Sequence, residues 1–423
     1  MNKPLIKSRA ATVQQVVSPL GVKAWLVEDY AVPLVALEFA VNGGTAQDPK
    51  GKAGAANMLA ALLDEGAGPH QSEDFHKELD NYAIEMSFGA DRDYFSGRMR
   101  VLKKHIRPAF DLLALALNDA RLDEEPIERV RGQMIAGIKR DAHDPHDLAA
   151  TAWRELAFPG HAYASPGDGT LESVTALTRE DLVQMRANCF ARDALSIAVV
   201  GAIDAATLAA ELDLAFGAWP LQGARARIAP VEMQNGGTRK IIDVDIPQAT
   251  IQFGLRGIAR HDPDHIPSVV VNHILGGGVF SARLFREVRE KRGLAYSVHS
   301  SVATFQQAAL FVGGTSTKNE RALESLQVIE EEIAKMAEDG PTAEELASAK
   351  KYLTGSYALR FDTSTKIASQ LMHLQLEGFS PAYLDERNVM IEAVDLPTAK
   401  RVAHRLFSGQ KLLVTVAGRP EGM

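Results

Sequence analysis

The chain has a single cysteine, Cys189, among its 423 residues. A disulfide within the chain and a zinc site built on cysteines are therefore both excluded. The chain also lacks any run of about 18 apolar residues, so we expect no membrane-spanning helix. It contains no run of five or six basic residues, and its formal net charge is -8. A protein that follows the phosphates of a nucleic acid is thus disfavoured.

The composition is that of a globular protein, with 46% hydrophobic and 24% charged residues. At about 150 residues per domain, the length predicts two or three compact units. Residues 1–9 include basic side chains, but no apolar stretch of about 7 to 15 residues follows them, so an intact signal peptide is not predicted. We expect a soluble protein, cytoplasmic if the sequence is complete and periplasmic if a signal peptide has been removed. The compartment itself stays open.

One succession of structural signals occurs twice along the chain, which indicates an internal duplication. In each half, an apolar strand pattern is followed by turn residues and then by an apolar helical segment. A second strand pattern ends each half after a further helix. The matching segments are residues 34–41 with 249–255, 53–63 with 268–275, and 195–201 with 412–418.

Residues 220–240 separate the two copies and have glycines and prolines with little periodicity, as expected of a linker. We therefore predict an N-terminal domain at residues 1–228 and a C-terminal domain at residues 229–423. Adjacent strand patterns at residues 297–304 and 308–315, with turn signals between them, indicate an antiparallel sheet. The expected fold is α+β in each half, with helices packed on an antiparallel sheet.

Three groups of residues carry a family resemblance that covers nearly the whole chain. They are residues 43–54, residues 161–174 and residues 275–298, where LGGG leads into RLFREVREKRGLAYSV. On these motifs the chain resembles the pitrilysin-type (M16) peptidases, in the short bacterial subfamily related to mitochondrial processing peptidase. The resemblance implies two homologous halves with the M16/LuxS-like metallopeptidase fold, which form a clamshell.

Catalytic members of this family carry His-x-x-Glu-His on a helix of the first half, where two imidazoles hold Zn²⁺ and the carboxylate reaches the zinc-bound water. Laid on this chain, the motif falls at Asn57, Ala60 and Ala61, and the resemblance places the distal zinc ligand at Gly137. These positions supply no imidazole and no carboxylate, so zinc chemistry is not expected here. Neither His-x-x-Glu-His nor His-Glu-x-x-His occurs anywhere in the chain. The resemblance thus implies no metal or other cofactor in this chain.

Two other histidine pairs have a spacing that a metal site could use. His261 and His265 are separated like ligands on one helical face, but two prolines in the same stretch disfavour a helix. His143 and His146 lie in turn-like sequence. Surface-loop histidines are the simpler interpretation of both pairs. An independent zinc enzyme that uses His261 and His265 is the alternative.

In the second half, Arg289 and Tyr296 have the arrangement of the family's Arg/Tyr pair, which acts in the relatives from the half opposite the zinc. The resemblance implies that Arg289 offers N–H donors to a peptide carbonyl or carboxylate, and that Tyr296 donates to the oxygen on which charge develops. Without the resemblance, the simpler interpretation is a solvated charged helix face and a half-buried strand aromatic.

Gly276, Gly277 and Gly278 lack the Gly-Lys-Ser/Thr ending of a phosphate-binding loop and the Rossmann spacing. We predict instead a helix C-terminus followed by a tight turn, where a positive φ or a close backbone approach requires glycine. A secondary hypothesis is that the backbone of a substrate peptide passes this turn.

Loss of the zinc half-site together with retention of the Arg/Tyr half-site predicts a heterodimer. The partner that the resemblance implies is a homologous subunit with His-x-x-Glu-His, whose zinc acts on peptides or unfolded small proteins enclosed between the subunits. The alternative is a structural or scaffold protein, like the metal-free relatives that are core subunits of a respiratory complex. No nucleic-acid partner is expected.

Overall fold

A computed structural model describes residues 9–423 of the chain. Two π-helical segments, His273–Gly277 and Phe285–Glu290, lie in the second half. The α-helices of the described residues are α1 (Ala55–Ala60), α2 (Ser72–Asn81), α3 (Ile106–Asn118), α4 (Glu124–Asp141), α5 (Pro145–Ala157), α6 (Leu171–Thr175), α7 (Arg179–Cys189), α8 (Ala205–Phe216), α9 (His265–Asn272), α10 (Ala322–Glu338), α11 (Ala343–Gly355), α12 (Ser364–Leu376), α13 (Tyr383–Ala393) and α14 (Leu396–Phe407).

The strands form two large sheets and one small hairpin. They are β1 (Gln14–Val17), β2 (Lys23–Glu28), β3 (Leu34–Asn42), β4 (Gly66–Ala67), β5 (His70–Gln71), β6 (Glu85–Ala90), β7 (Tyr94–Leu102), β8 (Leu195–Gly201), β9 (Arg239–Ile242), β10 (Gln248–Arg256), β11 (Ala295–Thr304), β12 (Ala309–Lys318) and β13 (Leu413–Ala417).

The two large sheets share a five-stranded arrangement, to which the first sheet adds β1 at one edge. The first has the strand order β1-β2-β8-β3-β7-β6, and the second has the order β11-β12-β10-β13-β9. One pair in each sheet is parallel, β2 with β8 and β9 with β13, while all other neighbours are antiparallel. Taken from the β9 edge, the second sheet therefore repeats β2-β8-β3-β7-β6 strand for strand. The predicted duplication and the α+β architecture are confirmed.

The chain forms two compact units, each with one large sheet. The first comprises the described residues up to 138, residues 166–227 and residues 358–386, and the second comprises the rest. The units are not two contiguous halves of the sequence, because each contains one helix from the other half. Helix α5, from the first half of the sequence, packs on β10 and β13, and helix α12, from the second half, packs on β3 and β8.

Side-chain hydrogen bonds fix both of these helices to their sheets. In the second unit, Trp153 Nε1 on α5 donates to the carbonyl of Leu413 at 3.0 Å. In the first unit, Gln375 Nε2 on α12 donates to the carbonyl of Ile197 at 2.9 Å. The bond of Trp153 is buried, and that of Gln375 is partly buried. Each bond satisfies a strand carbonyl that water does not reach freely.

Each unit has its own aromatic and aliphatic core. In the first unit, Phe39 contacts Phe216 and Trp219 edge to face, with ring centroids 5.2 and 6.4 Å apart. In the second unit, Phe311 contacts Phe407 at 5.0 Å in the same manner. Burial of each such side chain stabilises its unit by about 2–3 kcal/mol before the entropic cost of ordering. No helix within residues 9–423 is both long and apolar enough to cross a lipid bilayer.

Two predicted elements differ from those observed. The helix expected at residues 53–63 is shorter, because α1 spans only Ala55–Ala60. Gly54 precedes α1 with a φ of 96°, a left-handed conformation that ends the preceding turn. The predicted linker at 220–240 includes the start of strand β9, which pairs with β13 and so belongs to the second sheet. Its earlier residues contain no helix or strand.

Candidate functional site

The first-unit position of the zinc motif is the short helix α1. Asp48 caps its N-terminus, because the carboxylate accepts hydrogen bonds from the N–H groups of Gly54 at 2.8 Å and Ala56 at 2.9 Å. Burial raises the pKa of Asp48 to about 7, while these backbone hydrogen bonds act in the opposite direction. Asp48 therefore has a structural role, because its carboxylate accepts these hydrogen bonds from the start of α1.

Asn57 on α1 serves to hold a loop. Its Nδ2 donates to the carbonyl of Gly167 and to the Oδ1 of Asp168, both at 3.0 Å. These two bonds use both N–H groups of the amide. A neutral side chain thus occupies the position of the first histidine, and it binds protein atoms.

The remaining zinc-motif positions have no metal-binding atoms. Ala60 is buried, Ala61 is exposed at the end of α1, and Gly137 lies in α4. Zn²⁺ takes imidazole, thiolate or carboxylate ligands, so the residues present do not fit it. Within residues 9–423, no group of three or more His, Cys, Asp or Glu side chains is placed to hold a metal ion. We derive no catalytic step through a metal in this chain.

The prediction of a surface loop at His265 was wrong. His265 is the first residue of α9, and it is buried, with Nδ1 3.5 Å from the carbonyl of Ile258. Pro267 lies in the first turn of this helix, where a proline is tolerated because its missing N–H would have no intrahelical partner. His261 precedes the helix, so the two histidines do not share a helical face.

The other histidine pair lies at the start of α5 in the second unit. His143 is in the turn between α4 and α5, and His146 is in the first turn of α5. Asp144 caps this helix by accepting from the N–H groups of His146 and Asp147. The Nε2 of His146 is 3.5 Å from Ser316 Oγ on β12. The turn was predicted at the correct place, but the helix that begins in it was not.

Arg289 and Tyr296 lie together in the second unit. Arg289 is half-buried in the π-helical segment Phe285–Glu290, and Tyr296 is 83% exposed near the start of β11. The guanidinium carbon of Arg289 lies over two rings, 4.7 Å from the centroid of Phe285 and 4.8 Å from that of Tyr296. Contacts of this kind are cation–π interactions, which hold the guanidinium while its N–H edge stays available for hydrogen bonds.

The polar atoms of this pair have no partner within the described part of the chain. Neither the guanidinium of Arg289 nor the hydroxyl of Tyr296 makes a hydrogen bond or ion pair there. Arg283, at the start of the same sequence motif, is different. Its Nε and NH2 donate to the two carboxylate oxygens of Glu345 at 2.8 and 2.6 Å, in a bidentate and largely buried pair. Arg283 is therefore structural, whereas Arg289 has no such carboxylate partner within the described residues.

The glycines at 276–278 pack tightly without a positive φ. A Cβ on Gly276 would overlap Ser300 Oγ and lie 2.9 Å from Ser300 N, and a Cβ on Gly278 would lie 2.7 Å from the carbonyl of His273. None of the three glycines has a positive φ. Of the two alternatives that we predicted, a positive φ or a close backbone approach, the structure shows the close approach. The helix also does not end where expected, since it continues as the π-helical segment His273–Gly277.

Asn272 and Ser300 hold this turn against β11. Ser300 Oγ donates to Asn272 Oδ1 at 2.8 Å, and Asn272 Nδ2 donates to the carbonyl of Ser300 at 3.3 Å. Both side chains are buried. Beside them, His273 stacks on the exposed ring of Tyr352 at 5.0 Å, and burial lowers the pKa of His273. The glycine turn is thus fixed in place by a satisfied polar pair.

Three of these neighbours, Phe285, Asn272 and Ser300, were not predicted from the sequence. A signal for Phe285 was present, because it precedes Arg289 by four residues and side chains at that spacing meet on a helix. No local pattern joins Asn272 to Ser300, which a turn and a strand bring together from separate segments.

Comparison with known proteins agrees with this arrangement of paired halves. Residues 25–164 match the model of the insulinase domain of peptidase family M16, and residues 176–353 match that of the peptidase M16 inactive domain. The chain belongs to the M16 peptidase family. The family that the motifs indicated is confirmed, and so is its fold.

Relatives of this family member include proteins named as proteases and proteins named as inactive. A protein described as an uncharacterized zinc protease of Mycobacterium leprae is 26% identical over 404 residues, 95% of this chain and 91% of the relative. The non-peptidase homolog YmxG of Helicobacter pylori is 27% identical over 356 residues, 84% of this chain and 82% of the relative. The crystal structure of a peptidase M16 inactive domain from Pseudomonas fluorescens matches with a TM-score of 0.90 at 26% identity, covering 96% of this chain and 98% of that one.

Proposed function

We propose that this chain is the metal-free, substrate-binding subunit of a heterodimeric M16 zinc peptidase. In this proposal a homologous partner with His-x-x-Glu-His holds the zinc, and this chain supplies Arg289 and Tyr296. The substrates are peptides or unfolded small proteins. The N-terminal domain at residues 1–228 carries the degenerate zinc motif, and the C-terminal domain at residues 229–423 carries the Arg/Tyr pair.

One observation carries this proposal. Arg289 is held over the rings of Phe285 and Tyr296, yet its N–H groups have no acceptor among the described residues. A guanidinium that served only stability would be expected to meet a carboxylate, as Arg283 does with Glu345. Held donors without acceptors are typical of a site that binds a ligand through hydrogen bonds.

The chemistry of the pair suits a peptide backbone. Arg289 donates N–H bonds to a carbonyl oxygen and so positions the chain. Tyr296 donates its O–H to the oxygen that gains negative charge when water adds to the scissile carbon. Removal of one such donor typically lowers kcat by about 10²- to 10³-fold. Water activation is not assigned to this chain, because Asn57, Ala60 and Ala61 provide neither a metal ligand nor a base.

The glycine turn supplies a secondary contact in this proposal. The backbone at Gly277 is exposed, and the nearest side-chain atom, Asn272 Nδ2, lies 2.7 Å from where a Cβ of residue 277 would stand. Gly276 and Gly278 anchor the turn by close packing on Ser300 and His273. In this proposal a substrate backbone approaches the exposed main chain at Gly277, where no Cβ of this residue is in the way.

The second candidate is a scaffold protein without peptidase function. The family includes relatives named as non-peptidase homologs, and a scaffold requires no zinc. A scaffold also requires no unpaired guanidinium beside an exposed phenol, however, so the Arg289–Tyr296 contact favours the peptidase subunit.

The proposal is tested by copurifying the tagged chain from its source and assaying the complex for chelator-sensitive peptide hydrolysis. Arg289→Ala should lower kcat/KM by about 10²-fold or more while the complex still assembles. Arg286→Ala is the matched control, because Arg286 lies in the same π-helical segment and faces Glu345 at 3.4 Å. Equal turnover of the wild-type and Arg289→Ala complexes would refute the assigned role.

A further inference from the structure

Phe280 is a large apolar side chain left in solvent next to the glycine turn. It is 71% exposed, and it follows Gly278 by two residues. Its ring meets Phe285 edge to face, with centroids 5.2 Å apart and an interplanar angle of 84°. Phe285 itself is buried, so Phe280 is the outer ring of this pair.

The same buried ring connects Phe280 to the Arg/Tyr pair. The ring of Phe285 contacts two groups, the ring of Phe280 and the guanidinium of Arg289, whose central carbon is 4.7 Å from the Phe285 centroid. Arg289 in turn lies 4.8 Å from the ring of Tyr296. These contacts put Phe280 within about 10 Å of the guanidinium, a length that about three residues of extended peptide span.

The chemistry of this surface decides what covers it. An apolar patch of a second copy would bury Phe280, but it would leave the N–H groups of Arg289 and the O–H of Tyr296 without acceptors, which is costly. An extended peptide offers backbone carbonyls and side chains together, with successive side chains on opposite faces. A peptide therefore satisfies the donors and covers the ring at once.

We propose that Phe280 is a specificity-determining residue, and that the substrates are extended peptides with a large apolar side chain within about three residues of the carbonyl that Arg289 binds. This inference rests on the proposed function and adds a substrate class to it. Phe280 contacts the substrate side chain, whereas Arg289 and Tyr296 contact the backbone.

Peptide binding by the full chain tests this inference, measured by fluorescence anisotropy with two labelled, unstructured peptides. The peptides have the same sequence except for one central residue, Phe in one and Ser in the other. Wild-type protein should prefer the Phe peptide by about 10-fold, the effect of one aromatic contact. Phe280→Ala should abolish this preference by weakening only the Phe peptide, and Phe280→Leu should keep most of it. Val389→Ala, at another apolar side chain that is 69% exposed in the same unit, is the control and should behave as wild type.

The other outcomes separate this inference from the proposed function. A preference that survives in Phe280→Ala, or an equal loss for both peptides, would overturn the role of Phe280. Concentration-dependent self-association that Phe280→Ala abolishes would overturn it too, because a second copy would then cover the ring. Arg289→Ala should weaken both peptides equally. If it weakens neither while Phe280→Ala removes the preference, the backbone-binding role fails and the apolar site stands. If wild type binds neither peptide, both proposals are contradicted.

Discussion

The guanidinium carbon of Arg289 lies 4.8 Å from the centroid of the Tyr296 ring, and neither side chain uses its polar atoms within the described part of the chain. The cation–π contact fixes the guanidinium without occupying its N–H edge. A π-helical segment carries Arg289, and such segments are frequent at functional sites. This unit therefore holds a half-buried guanidinium against an exposed phenol, and the polar groups of both side chains are without a partner among the described residues.

The two arginines of the motif should separate stability from function. Arg283→Ala removes a bidentate, largely buried pair with Glu345 and should lower the free energy of unfolding by about 2–4 kcal/mol. Arg289→Ala removes only cation–π contacts and should cost about 1 kcal/mol or less. Urea unfolding of the two variants measures both values. Similar losses would show that Arg289 is structural as well.

Loss of either the Tyr296 hydroxyl or the planar Arg289 guanidinium should lower the kcat of the complex. Tyr296→Phe keeps the ring under Arg289 and removes only the O–H, so we expect kcat of the partnered complex to fall by about 10²-fold. Arg289→Lys keeps the charge but loses the planar fork and the stacking, and should also be defective. Steady-state kinetics on one peptide compares them. Full activity of Tyr296→Phe would refute the role of the hydroxyl and would leave Tyr296 only its ring contact with Arg289.

The packing of the glycine turn predicts a specific cost. Gly276→Ala forces a methyl group against Ser300 and should destabilise the protein by about 1–3 kcal/mol. Gly132→Ala, in the exposed middle of α4, meets no atom within 4 Å and should stabilise by up to about 1 kcal/mol. Thermal unfolding reports both changes. A neutral Gly276→Ala would show that the turn yields more easily than its contacts indicate.

An ion cluster in the second unit predicts a pH dependence of stability. Hydrogen bonds from Arg401, and then from Arg405, lower the pKa of Asp264 to about 2. A carboxyl group whose pKa is lowered on folding stabilises the protein at pH values above its pKa in the unfolded chain, which is near 3.8. This contribution is lost as the pH falls towards 2, the pKa in the folded protein. Asp264→Asn should therefore cost about 2 kcal/mol at pH 7 and progressively less below pH 4. Urea midpoints of both proteins across this range test it, and a difference that does not change with pH would contradict the assignment.

Much of the fold could be predicted from the sequence, because the same order of strand and helix patterns occurs in both halves. The apolar stretches at 34–41 and 249–255 become the central strands β3 and β10, each with two antiparallel neighbours. The reciprocal positions of α5 and α12 could not be predicted. An amphipathic pattern shows that a helix has an apolar face, and it does not show which sheet that face covers.

The candidate site was predictable only in part. Arg289 and Tyr296 were chosen from a family motif, and the structure places them in contact. The buried environment of His265 was missed because prolines were taken to exclude a helix, although Pro267 falls in the first turn, where it costs no hydrogen bond. The exposure of Phe280, which lies in the short 3₁₀-helix Val279–Ser281, was not predicted, because large apolar side chains beside a helix are usually buried.

The central claim is a division of labour between two chains, and reconstitution tests it most directly. Zinc content and chelator-sensitive peptide hydrolysis are measured for this chain alone, for its His-x-x-Glu-His partner alone, and for the two mixed, with wild-type Arg289 or Arg289→Ala. We expect no bound zinc and no hydrolysis for this chain alone, activity in the mixture, and a loss of about 10²-fold with Arg289→Ala. Stoichiometric zinc or unaided hydrolysis by this chain would contradict the account.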